Sequence, residues 1–158
     1  MKTVLLAALL LATAGPAFAL SCLRPDAVRL YEKARDSKDT YVAVRGRIDL
    51  TEPANAPVPD SDFPSITLAK MSGYALTSHG FGALFNREIE IHATCLGPWC
   101  GSAEAFEGEQ LAVLKVGDNN TYRLAADPCG GDAVFWSKDA ENRLLACHRN
   151  GTLSLIHI

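Results

Sequence analysis

The chain has no basic run. Lys and Arg number 15 against 18 Asp and Glu, a formal net charge of −3, so the electrostatic footprint of a nucleic-acid binder is missing and no such partner is expected. It has no Cys-x-x-Cys pair and no second close pair of cysteines. The first absence removes the spacing with which one thiol depresses the pKa of another at a helix start, and the second removes the ligand set of a zinc ribbon. Leu144 stands three positions before Cys147-His148, so the haem-attachment signature Cys-x-x-Cys-His is missing as well. Predicted strands do not alternate with helices, which leaves out the rhythm of a parallel-sheet fold. No acid–base or nucleophilic set is complete. Neither a catalytic activity nor a cofactor nor a bound metal is expected.

What is present begins with an address. Lys2 precedes "VLLAALLLATAG" (residues 4–15), an apolar run too short to span a bilayer comfortably, and "AFA" (residues 17–19) has the small-x-small pattern cut by signal peptidase. Residues 1–19 are therefore expected to be a signal peptide, with Leu20-Ser21-Cys22 as the mature start and a periplasmic or secreted destination. The shortness of the signal points to a bacterial producer. "ALSC" (residues 19–22) also places Cys22 where a lipobox would acylate it, the one route by which this chain would be tethered to a membrane. At the other end, "LSLIHI" (residues 153–158) is what the string CTGTCTCTTATACACATC encodes, and that string matches a transposon-end sequencing adapter. These six residues are expected to be a non-native tail. Residues 20–152 are the length of a single domain, and with 48% hydrophobic residues over the full chain it can build a core.

Five cysteines remain in an exported chain: Cys22, Cys95, Cys100, Cys129 and Cys147. In an oxidising compartment disulfides are the default, and an odd count leaves one thiol over. Cys147 would then be free, or joined to a cysteine beyond Thr152. "CLGPWCGS" (residues 95–102) sets Cys95 and Cys100 around a Gly-Pro-Trp turn, and the glycines after it make a poor helix opener. A structural bond at Cys95 or Cys100 is expected there; a thiol–disulfide redox protein using this pair is the rival reading.

Along the chain, "RPDAVRLYEKARDS" (residues 24–37) predicts a short amphipathic helix with Pro25 and Asp26 at its start and Ala27, Leu30, Tyr31 and Ala34 apolar. "TYVAVRGRIDL" (residues 40–50) alternates as a strand does, with Val42, Val44, Ile48 and Leu50 on one face and Gly46 marking a bulge or sharp bend. Residues 51–64 hold four prolines and read as a long mobile loop. Strands are expected at residues 65–76, 81–86 and 87–95; pairing the last with residues 40–50 would set Arg45 and Arg47 across from Glu88 and Glu90. Those two glutamates read as a solvated, charge-matched face. Residues 107–116 and 121–127 form a hairpin through "GDNN", a short strand follows at 133–136, and Ser137 caps a last helix with Ala140, Leu144 and Cys147 as its stripe and Gly151 as its stop. The expected fold is mainly β: a small antiparallel β-barrel of OB type with a short helix at each end, stapled by disulfides.

"SCLRP" (residues 21–25), "VAVRGRI" (42–48), "WCGS" (99–102), "GEQLAVLKV" (108–116) and "DPCG" (127–130) together resemble the tissue inhibitors of metalloproteinases and the wider netrin-like group. The block "CLGPWCG" with its later "PCGG" also resembles that of bacterial secreted proteins. The resemblance spans residues 22–131 and implies a secreted OB-fold whose N-terminal segment is bonded to the barrel, Cys22 to Cys100 or Cys129, with Cys95 and Cys100 free in the second case to bond each other. The inhibitors open on Cys-x-Cys and chelate the protease zinc through the first residue, whereas here Leu20 and Ser21 precede a single cysteine. The leading expectation is a non-enzymatic exported binding module. Its contact surface would be Ser21, Cys22 and the loop carrying Pro53, Pro57 and Pro59, facing an extracytoplasmic protein or other ligand. Metalloproteinase inhibition is the alternative.

Overall fold

β1 (Tyr41–Leu50) pairs antiparallel on both of its sides, and that double use organises the chain. The computed structural model describes residues 22–23 and 25–150, so the expected signal peptide (1–19), Ser21, Gly151 and the tail 153–158 lie outside the described residues. Within them run α1 (Ala27–Arg35), β1, β2 (Ser65–Thr77), β3 (Gly80–Ala93), the two-residue strands β4 (Cys95–Leu96) and β5 (Trp99–Cys100), β6 (Gly108–Val116), β7 (Tyr122–Ala126), β8 (Ala133–Phe135) and α2 (Lys138–Asn150). The fold is mainly β, with one helix near each end.

One flank of β1 meets β2, from Val44 opposite Ala75 to Leu50 opposite Ala69, and the other meets β6, from Tyr41 opposite Lys115 to Ile48 opposite Gly108. β2 turns through Ser78-His79 into β3, β3 runs parallel to β7 from Glu90 opposite Arg123 to Ala93 opposite Ala126, and β7 returns to β6 at Tyr122. The pairings therefore run β1, β2, β3, β7, β6 and back to β1, with β8 added to β6 alone. The β6–β7 connection uses the turn chemistry expected of "GDNN", Asn119 and Asn120 both taking positive φ.

Alternation on these strands serves two cores. Val44, Ile48, Met71, Ile89, Ile91, Leu114 and Leu124 fill the inner face. Ala43, Leu76, Leu111 and Val113 point outward and are covered by Tyr31 and Ala34 of α1 and Leu144 of α2. Being buried on both faces, β6 reads as the unbroken apolar run "LAVL" rather than as alternation. Asp26 caps α1, accepting from the Val28 and Arg29 N–H groups, and Ser137 Oγ accepts from the Ala140 N–H at the start of α2. His148 ties the helices to the β2–β3 turn. Its Nε2 donates to the Thr77 carbonyl, and its Nδ1 lies 2.8 Å from the Tyr31 hydroxyl.

Three expectations are corrected. Residues 81–86 and 87–95 are not two strands: β3 is continuous through Asn86 and Arg87, paired to β2 without a break from Ala83 to Ala93. β1 does not pair with that strand, so Arg45 and Arg47 do not face Glu88 and Glu90; Arg45 reaches Glu141 and Arg47 reaches Asp49. Gly46 carries no bulge, since the register passes through it unbroken on both sides; the shift lies between Ala75 and Leu76. What Gly46 permits is close approach. It sits opposite Gly73, and a Cβ on Gly73 would run into the Arg45 carbonyl and the Gly46 backbone. Gly73→Ala is therefore expected to destabilise the protein by about 2–3 kcal/mol in urea unfolding, as overpacking against rigid backbone does. Gly82→Ala, with nothing within 4 Å of the added carbon, should stay within about 0.5 kcal/mol of the parent; equal losses at both sites would refute the clash.

Candidate functional site

Ser65 at the start of β2 lies opposite Ala93 at the end of β3, and Ala93 opposite Ala126 at the end of β7. Three segments consequently meet the sheet at one end: the proline loop 51–64 entering β2, the chain from Thr94 leaving β3, and the turn from Asp127 leaving β7. The Thr94 N–H donates to the Ala126 carbonyl and the Gly101 N–H to the Thr94 carbonyl, which holds the β4–β5 hairpin against β7.

The cysteines staple this end. Cys95 bonds Cys100, directly opposite each other in β4–β5, and Cys22 bonds Cys129 across 107 positions with the two Cα atoms 5.2 Å apart. Of the two partners weighed for Cys22, the structure gives it Cys129. Asp127 shapes the receiving turn: its Oδ1 accepts from the Cys129 N–H at 2.7 Å and its carbonyl from the Gly130 N–H. Gly131, at φ 104°, passes so close to the Ala125 carbonyl that a Cβ there would strike it. Cys147 is not bonded among the described residues. Burial first, and then the Glu32 carboxylate 3.9 Å away, push its thiol pKa up, which makes it a poor nucleophile.

The proline loop is fixed over its first half. Thr51 N–H donates to the Leu68 carbonyl, Leu68 N–H to Glu52 Oε1, and Asn55 N–H to the buried Thr67 hydroxyl. Pro53 and Pro59 are exposed and Pro57 half-buried. Among the described residues no hydrogen bond or salt bridge joins this loop to the Cys22 segment. The two share an end of the sheet without touching through polar groups.

That end is apolar. Leu23 beside Cys22, Val58 and Phe63 in the second half of the proline loop, and Leu96 and Trp99 on β4–β5 are all exposed, Phe63 to 82% and Trp99 to 41%. Single exposed apolar residues are ordinary, but several gathered on neighbouring loops mark an interaction surface. Cys95 and Cys100 lie in a strand hairpin and not at the start of a helix, so the arrangement that activates a redox thiol is not built around them. Glu90 accepts from His92 Nε2 at 2.8 Å and faces Arg123 Nε at 3.5 Å, while Glu88 lies across from Lys70. The pair forms part of a charged outer face.

Sequence reading missed one cluster. Arg45 lies between the rings of Tyr74 and Trp136, 5.6 and 5.9 Å from their centroids, and binds both oxygens of buried Glu141, which also accepts from Trp136 Nε1. The signal was present as a tryptophan just before a helix whose fourth residue is a glutamate. Among the described residues no group of three His, Cys, Asp or Glu side chains is placed to hold a metal ion, and no helix is long and apolar enough to cross a membrane. Compared with protein-family models, with curated proteins and with solved structures, the chain matches none.

Proposed function

We propose that this protein is a non-enzymatic, exported binding module of OB type, and that it grips a protein ligand with the loop end of its sheet. The observation that carries the reading is the exposure of Val58 and Phe63 on the loop entering β2, of Leu96 and Trp99 on the hairpin leaving β3, and of Leu23 on the segment bonded to the turn leaving β7. Two disulfides hold two of those segments in place before any ligand arrives. A surface fixed in advance loses less freedom on binding, which is where a small contact area gains its affinity. The ring of pairings that returns to β1 supports the OB assignment. The bond from Cys22 to Cys129 supports the netrin-like one. Disulfides also suit an oxidising, extracytoplasmic setting, and periplasmic or secreted residence is part of this proposal.

The test is photo-crosslinking in a bacterium that exports the chain, with benzoylphenylalanine placed singly at Phe63, Trp99 or Leu84. Leu84 is as bare as Phe63, at 85% exposure, but sits nine residues before Ala93 on β3, about 30 Å from the loop end. One partner adduct shared by positions 63 and 99 and absent from 84 is expected. Adducts of equal yield from position 84, or none from 63 and 99, would overturn the reading.

A further inference from the structure

Among the described residues β8 has a partner on one side alone. The Val113 N–H donates to the Asp132 carbonyl and the Trp136 N–H to the Glu109 carbonyl, so Val134, midway between, also turns its polar groups towards β6. By the alternation of a strand, the N–H and C=O groups of Ala133 and Phe135 point the opposite way. They point into a groove of about 540 Å³ that opens along this free edge. Residues from both faces of β8 line it, Ala133 and Phe135 from the inner side and Val134 from the outer, so the strand edge itself forms the wall. Across the groove stand Pro25 and Ala105, and Gln110 lies at its floor.

Gln110 is the second observation. It is 1% exposed, and its Nε2 is a buried side-chain donor without a hydrogen-bond partner among the described residues. Leaving such a group unpaired is costly, and native structures leave few. Gln110 sits opposite Phe135 in the ladder, so its amide flanks the same edge whose backbone groups are free. At the rim, Asp139 is exposed and holds no ion pair among the described residues, whereas the neighbouring Arg143 is already committed to Asp26 at 2.7 Å. The groove therefore leaves Gln110 without a carbonyl oxygen and β8 without a second ladder, and its rim carries a solvated carboxylate, Asp139, that favours a cation over an anion.

We propose that the free edge of β8 takes an extended, basic peptide segment of a partner protein as an added strand, with Gln110 donating to a peptide carbonyl and Asp139 receiving a lysine or arginine. Strand addition of this kind draws affinity from main-chain hydrogen bonds and selectivity from alternate side chains. The site is separate from the loop end, and neither requires the other.

The probe is a capped heptapeptide alternating lysine with valine. Two N-methylated forms, one for each alternate set of amides, and a glutamate–valine version serve as comparisons. In NMR titrations of the full chain the Gln110 side-chain amide resonances are expected to shift, and exchange of the Ala133 and Phe135 amides to slow at least tenfold. One N-methylated form should fail to bind, because only one set of amides faces the ladder. Gln110→Met should weaken the lysine peptide about fivefold, the scale of one net hydrogen bond. Unmoved Gln110 resonances at millimolar peptide would overturn the proposal, as would equal binding of both N-methylated forms or of the glutamate peptide. A Gln110 shift that follows protein concentration without peptide would also overturn it, by assigning the edge to a second copy of the chain.

Discussion

Replacing Cys22 and Cys129 together by serine is expected to remove about 4–5 kcal/mol of stability, the largest loss available from any pair of cysteines here. The bond spans 107 positions, and in the chain-entropy view a closed loop of about a hundred residues restricts the unfolded chain by roughly that amount. Domains of this size are stable by about 5–15 kcal/mol in total, so the variant should melt at least about 15 °C lower. Cys95→Ser with Cys100→Ser opens a loop spanning 5 positions, and the same relation gives about 2 kcal/mol. Urea unfolding of both double variants, beside the parent under reducing and non-reducing conditions, measures the two losses. A long-loop variant within about 1 kcal/mol of the parent would show that the unfolded chain is already restricted near these residues and that the staple contributes little. The functional consequence is separable. Asp26 keeps its contacts with the Val28 and Arg29 N–H groups and with Arg143 when the bond is gone, so α1 should persist while residues 22–23 come away from the turn that Asp127 shapes.

Local chemistry was the part of this fold legible in the sequence. The alternation of β1, the Asp26 and Ser137 caps, the stripe of α1 and the positive-φ asparagines of the β6–β7 turn each follow from a few neighbouring residues, and each stands in the structure. Partnership over distance was not legible. The apparent break at Asn86-Arg87 looks like a turn because both residues are polar and exposed. They lie on an open stretch of β3 that pairs with β2 without interruption, and polarity there reports solvent and not an end. Charge matching misled in a related way. With 18 acidic residues in the chain, Arg45 has many plausible partners, and Glu88 and Glu90 suggested themselves by their strand spacing. The one it meets is Glu141, 96 positions away, because α2 folds back over the outer face where Ala43 and Leu111 need covering. The same limit applies to the loop end. The proline loop and the Cys95–Cys100 turn each read as exposed, but their nearness depends on Ser65, Ala93 and Ala126 sharing a register, which no local pattern carries.

That Arg45–Glu141 contact gives the second large effect. Glu141 has a side chain 6% exposed, with Arg45 Nη1 at 3.1 and 3.3 Å from its two oxygens and Trp136 Nε1 at 2.9 Å. Burial pushes its carboxyl pKa up; the Trp136 N–H and the Arg45 guanidinium together outweigh burial and hold it below the ordinary value. A carboxylate held low contributes stability that is full above the unfolded value, about 4.3, and that is lost as pH falls through the lower folded value. Arg45→Met removes the guanidinium and leaves the burial, the Trp136 N–H and the Lys138 ammonium, 3.6 Å from the other carboxylate oxygen. At pH 7 the carboxylate then keeps only these two in a nearly dry site, and a loss of about 3 kcal/mol, the low end for a broken buried pair, is expected. The pH dependence weakens with it, since only the Trp136 N–H and Lys138 then oppose burial and the folded pKa rises towards the unfolded one. The variant should therefore lose less stability than the parent as pH falls, and the gap between parent and variant should narrow by pH 4. Adding Glu141→Leu to Arg45→Met should recover the parent's stability to within about 1 kcal/mol, because an apolar pair of similar volume leaves no charge to solvate. Urea unfolding of the parent, the single variant and the double variant at pH 7 and pH 4 decides the matter. A single variant no worse than 1 kcal/mol at pH 7 would mean that water reaches Glu141 once the guanidinium is gone, and the cation would then hold the Tyr74 and Trp136 rings in place without carrying the stability of the outer face.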